Sequence, residues 1–245
     1  MRVLAIDTAT EICSAALLID GRLSEREQRL ERGHAEHILP MVDELLAQAD
    51  TALRSLSAIA FGRGPGAFTG VRLAASVAQG LAFGAGLPVV PISDLRALAQ
   101  RGLEEDPHAA RVLSCTDARM GEVYWACFER GGEGLAVIIG GEHVGSPASV
   151  GLPPAWSAQA HGHAGAVTGP GGIAICGVGS GFAVYPALRS ALGESGRLLG
   201  ALFPRASEIV RLAAPEVGAG RFLPAQQALP VYLRDEVTPG RPGSH

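Results

Sequence analysis

Two stretches decide the fold: Val3-Leu4-Ala5-Ile6-Asp7, and Arg111-Val112-Leu113-Ser114-Cys115-Thr116-Asp117. Each is an apolar run that ends in aspartate, the pattern of a buried strand. Working outward from the first, residues 12–19 and 22–30 read as two further strands. Asp20-Gly21 joins them, a dipeptide suited to a tight hairpin because glycine tolerates positive φ. Working outward from the second, Arg119-Met120-Gly121 turns the chain into a strand at 122–129, and Gly131-Gly132 leads to another at 135–139. Asp7 stands 13 positions before Asp20, and Asp117 stands 14 before Gly131. The order strand, Asp, turn, strand, hairpin, strand therefore occurs once in each half.

Between the two copies, Ile38, Leu39, Val42, Leu45, Leu46 and Ala49 recur at helical spacing, which predicts a helix from about His34 with Pro40 near its first turn. A short strand at 57–61 feeds Gly62-Arg63-Gly64-Pro65-Gly66-Ala67-Phe68-Thr69-Gly70, and a second helix follows at 71–83. Ala74, Ala78 and Ala82 repeat every four positions along it. Residues 89–92 form a strand, and Ser93 caps a helix that reaches about Gln100. The polar run Glu104-Glu105-Asp106-Pro107 marks a domain boundary. Later come a Gly/Ala/Pro-rich loop at 151–172, a strand at 173–177, helices at 183–192 and 206–214, and a closing strand at 231–234. A duplicated module of this kind is the plan of the actin-like (ASKHA, ribonuclease H-like) α/β architecture: two lobes of mixed sheet flanked by helices. The expected division is 1–105 for the first lobe, 106–235 for the second with a Gly/Ala-rich insertion at about 140–172, and 236–245 as a tail.

Composition narrows the function. The 245 residues carry 20 basic against 24 acidic side chains, net −4, with no block of like charge. That excludes a basic nucleic-acid footprint as the main binding force. Every basic residue is arginine, and there is neither lysine nor asparagine. Walker A and Schiff-base chemistry are thereby excluded, as is N-glycosylation. Cys13, Cys115, Cys127 and Cys176 lie far apart with no CxxC, the pattern of buried reduced thiols. The chain opens directly into a strand, and no apolar run reaches the ~18 residues of a membrane span. A cytoplasmic protein without a membrane partner is the expectation.

Several residues are candidates for chemistry. The glycine-rich loop lies between a strand and a helix, where backbone N–H groups at Gly64 and Gly66 could hold a phosphate. It matches neither GxGxxG nor GxxxxGK, and the competing reading is a close-approach connection or a partner-facing loop. Asp7 and Asp117 end strands at mirrored positions, where an actin-like enzyme cradles phosphate. The glycine expected two residues on is replaced by Ala9 and Arg119, so the competing reading is an aspartate capping local amides. Gly177-Val178-Gly179-Ser180-Gly181 has Val178 where a nucleophile elbow needs glycine. It fits a strand-to-helix turn, with Gly179 as the counterpart of the adenosine-side turn. His34 and His37 are spaced i, i+3 rather than HExxH, and His161-Gly162-His163 falls in the insertion; neither reads as a metal site.

Ile6-Asp7-Thr8-Ala9-Thr10, the run 62–72, Asp117-Ala118-Arg119-Met120-Gly121-Glu122-Val123-Tyr124-Trp125, His37-Ile38-Leu39-Pro40 and Pro230-Val231-Tyr232-Leu233-Arg234 together resemble the bacterial TsaB (YeaZ) family, from residue 1 to about 235. Ala67 departs from the serine usual in that loop, and 140–172 matches nothing in the family pattern. The resemblance implies a non-catalytic subunit of the machinery that forms N6-threonylcarbamoyladenosine in tRNA. It implies pairing with the catalytic subunit TsaD, docking of the ATPase TsaE on that pair, a homodimer when alone, and tRNA contact only within the complex. It implies no cofactor in the isolated subunit, with ATP acting at the level of the complex. The catalytic relative's His-x-x-x-His motif is not in this chain. Pairing in the family uses the first two helices, which places the interface at His37, Leu39, Val42, Leu46, Arg72, Ala74, Ala75, Ala78, Leu81 and Ala82, with Ala78 facing outward. The alternative function is a free-standing actin-like ATPase or phosphotransferase.

Overall fold

In the computed structural model, residues 1–158, 175–193, 196–200 and 202–234 are described. The first half gives β1 (Arg2–Asp7), β2 (Ile12–Ile19), β3 (Arg22–Arg29), α1 (His34–Gln48), β4 (Ala58–Gly62), α2 (Phe68–Ala85), β5 (Val89–Ile92) and α3 (Asp94–Glu105). The second gives β6 (Arg111–Arg119), β7 (Glu122–Arg130), β8 (Ala136–Gly145), α4 (Pro154–Ala158), β9 (Ile175–Val178), α5 (Gly181–Val184), β10 (Arg197–Leu198) and α6 (Ala206–Gly218). The strands form two five-stranded sheets, ordered β3-β2-β1-β4-β5 and β8-β7-β6-β9-β10. In both, the three leading strands pair antiparallel, and the remaining two join in parallel. The duplication expected from two Asp-ending strands is thus a duplication of strand order and direction.

Local chemistry explains the elements. β1 is covered on both faces and carries a continuous apolar run rather than an alternating one. β3, at the edge, is studded with Arg and Glu, which blunts edge-to-edge pairing. Asp20 and Gly21 both have positive φ, 47° and 85°, as a type I′ hairpin turn requires. The Ser93 hydroxyl accepts from the Arg96 N–H at 3.2 Å and caps α3.

The helices do not stay with their own half. Leu95, Leu98 and Leu103 of α3 pack with Val112, Phe128 and Val178 of the second sheet. Ile209, Val210, Leu212 and Ala213 of α6 pack with Val3, Ala5 and Ala60 of the first. Each sheet is therefore covered by a helix from the other half of the chain. The opposite face of the first sheet carries Leu4, Ile6, Ile59 and Phe61 under α1 and α2. Each such fully buried side chain contributes about 1.5–3 kcal/mol.

Other expectations need correction. β8 runs to Gly145, so the start of the 140–172 segment is strand, and Trp156 on α4 is buried with its Nε1–H donating to Glu129 at 2.7 Å. Residues 159–174, with His161 and His163, lie outside the described residues, as do 235–245. The helix expected at 183–192 is a short α5 followed by a 3-10 turn at Pro186–Leu192, because proline breaks the ladder. Residues 231–234 form no strand; Val231 N–H donates to Arg63 O at 2.7 Å and the pairing stops there. Two-residue β10 is too short to read from sequence. No helix among the described residues is long and apolar enough to cross a membrane.

Two predictions follow from this packing. All four cysteines are buried and unbridged, and burial pushes the Cys13 and Cys127 thiols up to about 12. Native protein is expected to react slowly with a thiol reagent at pH 8 and fully after denaturation; rapid labelling in the folded state contradicts the assignment. Ala67 holds the extended N-cap geometry of α2 without a side-chain cap (φ −61°, ψ 128°). Ala67→Ser is expected to stabilise the chain by about 0.5–2 kcal/mol in denaturant melts.

The interlobe cleft and the helical face

A cleft of about 620 Å³ opens between the two halves. Its walls are the β1–β2 turn (Thr8, Ala9, Thr10, Glu11), the loop into α1, the start of α2, and Thr116, Asp117, Arg119 and Ser180 from the second half. The duplicated turns meet here, where an actin-like enzyme would bind phosphate. Of the residues singled out from sequence, Gly66 and Asp117 line the cleft; Asp7, Gly64 and Gly179 do not.

The glycines explain why. A side chain at Gly66 would lie 2.6 Å from Ala9 O, and one at Gly70 would overlap the Thr8 carbonyl oxygen. The contact is sealed by Ala67 N–H donating to Ala9 O at 2.8 Å and Thr8 Oγ1–H donating to Gly70 O at 2.7 Å. Gly64 adopts φ 97° and sits under Val231, where a Cβ would lie 2.9 Å from its carbonyl oxygen. Gly179 (φ 113°) lies against Cys115 O in the middle of β6. All four glycines serve close approach of protein backbone to protein backbone.

The aspartates are also occupied. Asp7 is fully buried, and its Oδ1 accepts from Ala9 N–H at 2.9 Å. Burial pushes its carboxyl up to about 6, against the opposing pull of the Ala9 amide. Its neighbour is Asp94, the first residue of α3, which sequence reading passed over in favour of the adjacent cap Ser93. Burial, then the charge of Asp7, holds Asp94 well above the usual carboxylate range. The signal was present: an acidic residue directly after the cap of a helix that follows the strand paired with Gly62. Asp117 Oδ1 accepts from Arg119 N–H at 2.9 Å and from the Tyr185 hydroxyl at 3.3 Å. The Arg119 guanidinium lies 3.1 Å from Asp117 and 3.7 Å from Glu11, so it spans the two halves across the cleft. Ser180 Oγ accepts from Asp117 N–H at 3.2 Å.

These residues do not fit a metal-bound triphosphate. The carboxylate at the end of β1 is sealed from the cleft, and the glycines that would let backbone approach phosphate are filled by the chain itself. Among the described residues, no three His, Cys, Asp or Glu side chains come together as metal ligands. His34 Nε2 instead lies 2.8 Å from Thr10 O.

The helical face departs from expectation in detail. Val42, Ala74, Ala75, Ala78 and Ala82 are buried in the core under the first sheet, so Ala78 faces inward. His37, Leu46 and Leu81 are half-buried, while Leu39 and Arg72 are exposed. Arg72 stacks 3.4 Å over the Phe68 ring and donates to the Tyr232 hydroxyl at 2.7 Å. The outer surface of α2 instead carries Ser76, Gly80 and Gly84, four residues apart, beside the exposed Phe83, and a side chain at either glycine would meet open space. The alanine repeat identified a helix face correctly and assigned it to the wrong side, because alanine suits both a tight core and a tight interface.

A family model described as "TsaD: tRNA N6-adenosine threonylcarbamoyltransferase" matches residues 28–216. The tRNA threonylcarbamoyladenosine biosynthesis protein TsaB of Escherichia coli is 40% identical over 240 residues, 97% of this chain and 96% of that one. Its Haemophilus influenzae namesake is 52% identical over 126 residues, 51% of this chain and 53% of that one. Among solved structures, YeaZ from Pseudomonas aeruginosa superposes with a TM-score of 0.81 at 41% identity, covering 95% of this chain and 99% of that one. With a relative of this identity along nearly its whole length, and the same two-lobed fold, the chain belongs to the family this model describes and, within it, to the TsaB (YeaZ) family.

Proposed function

We propose that this chain acts in tRNA threonylcarbamoyladenosine biosynthesis as a non-catalytic, activating subunit, pairing with a TsaD catalytic subunit to which the TsaE ATPase is added. The relatives' names supply the process. The observation that supports the non-catalytic role is the seating of Thr8-Ala9 on Gly66 and Gly70, backbone against backbone, so that these glycines are used within the chain itself. Two of the cleft's hydroxyls are taken up in backbone hydrogen bonds: Thr8 Oγ1–H donates to Gly70 O, and Ser180 Oγ accepts from Asp117 N–H. ATP belongs, on this reading, to the assembled complex.

The pairing surface is the outer face of α1 and α2. Leu39 is 45% exposed on α1, and the Ser76, Gly80, Gly84 row on α2 would let a partner helix approach closely. A homodimer of the isolated chain would use the same face. The buried alanines behind it hold α2 against the sheet and so set the position of this row.

The test is co-purification with a TsaD subunit and assay of tRNA threonylcarbamoylation with and without this chain. Gly80→Glu places a charge on the exposed face in a helix that gains propensity from losing glycine. It is expected to leave the fold and Tm intact while abolishing pairing and lowering modification at least tenfold; pairing that survives unchanged puts the interface elsewhere. The isolated chain is expected to show no ATP turnover. A preparation-independent rate that Asp117→Asn removes would establish the ATPase reading instead.

A further inference from the structure

Two carboxylates converge where β1, the glycine-rich loop and α3 meet. Asp7 ends β1, Asp94 opens α3, and both are buried. They flank Gly62 so closely that a Cβ there would lie 2.5 Å from Asp94 Oδ1 and 2.7 Å from Asp7 Oδ1. Asp94 clasps the loop twice, accepting from Gly64 N–H through Oδ2 at 2.5 Å while its own N–H donates to Gly64 O at 3.1 Å. One oxygen of each acid, Asp7 Oδ2 and Asp94 Oδ1, is buried with no donor among the described residues. Two like charges in this position would repel, and each would keep one buried oxygen without a donor.

We propose that Asp7 and Asp94 share one proton at neutral pH, Asp94 donating to Asp7, and that this hydrogen bond is a latch joining the first sheet to the helix of the second. It accounts for both orphaned oxygens at once. It also explains why an aspartate that opens the duplicated turn faces away from the cleft. α3 packs on the second sheet and β1 is central to the first, so the latch sits at the junction of the lobes and at the root of the loop that starts α2.

The charged and titratable groups around it oppose one another. Glu208 of α6 and the Cys13 thiol of β2 face Asp7, and Arg63 of the loop, itself paired with Glu142 of β8 at 3.0 Å, faces Asp94. Both acids are raised above their ordinary range, chiefly by burial. The sign follows: the folded chain holds protons that the unfolded chain has released, so this stabilisation is complete below about pH 4 and declines as pH rises through 6 and beyond.

The experiment uses the full chain. In the wild type, the carbon-13 carboxyl resonances of Asp7 and Asp94 are followed from pH 4 to 9, with Tm and amide exchange at Gly64 measured in parallel. One neutral carboxyl at pH 7 is expected, with Gly64 exchange quickening as the proton leaves. Asp94→Asn replaces the shared proton with a permanent N–H donor and keeps the oxygen that serves Gly64. It is expected to raise Tm at pH 7.5 by a few degrees and to flatten its pH dependence, whereas Asp94→Ala lowers Tm at every pH. Two ionised carboxyls at pH 7 in the wild type would overturn the latch, whatever the variants do. So would an Asp94→Asn protein less stable than wild type at pH 7.5.

Discussion

The structure depends on one contact between two pieces of backbone: the β1–β2 turn at Thr8-Ala9 lying on the loop at Gly66 and Gly70. No side chain fits between them, and two hydrogen bonds hold them. Because the turn is fixed to the end of β1, this contact sets where α2 begins. α2 then buries Ala74, Ala75, Ala78 and Ala82 under the first sheet, and its opposite side inherits a fixed row of small residues.

The lobes are joined in a way that the covalent order conceals. α3 and α6 each cross to the other sheet, so the interlobe junction is built of helices rather than of a linker. Around it lie Arg63–Glu142, Arg119–Glu11 and Arg234–Glu122. Their weights differ. Arg119 is 78% exposed, and its 3.7 Å approach to Glu11 is worth little against solvent screening. Arg63–Glu142 is largely withdrawn from water, and Asp7 and Asp94 are buried.

The outer face of α2 combines small residues with one large one: Ser76, Gly80 and Gly84 lie beside the exposed Phe83. Gly80 costs α2 helix propensity, about 1 kcal/mol relative to alanine, while Gly84 lies in the last turn, and a side chain at either position would meet nothing of this chain. Arg72, by contrast, is tied to Phe68 and Tyr232, so the start of α2 is already covered by the C-terminal segment and the open part of the face lies further along.

What the sequence determined by itself was everything with a short-range cause. Apolar runs ending in aspartate, Asp-Gly at the hairpin, helical spacing and the serine before α3 place β1 to β9 and the major helices, and the repetition of that order reveals two lobes. The nine-residue loop and the Asp117 run also carry enough specificity to indicate the family. Only the tertiary structure decided the matters that depend on residues distant in the chain. Whether Gly66 faces a phosphate or Ala9, whether Ala78 faces the sheet or a partner, which sheet α3 covers, and that Asp7 meets Asp94 are all settled by contacts across tens to hundreds of positions. Glycine and alanine are read poorly from sequence for the same reason: each marks close approach, and neither records what approaches.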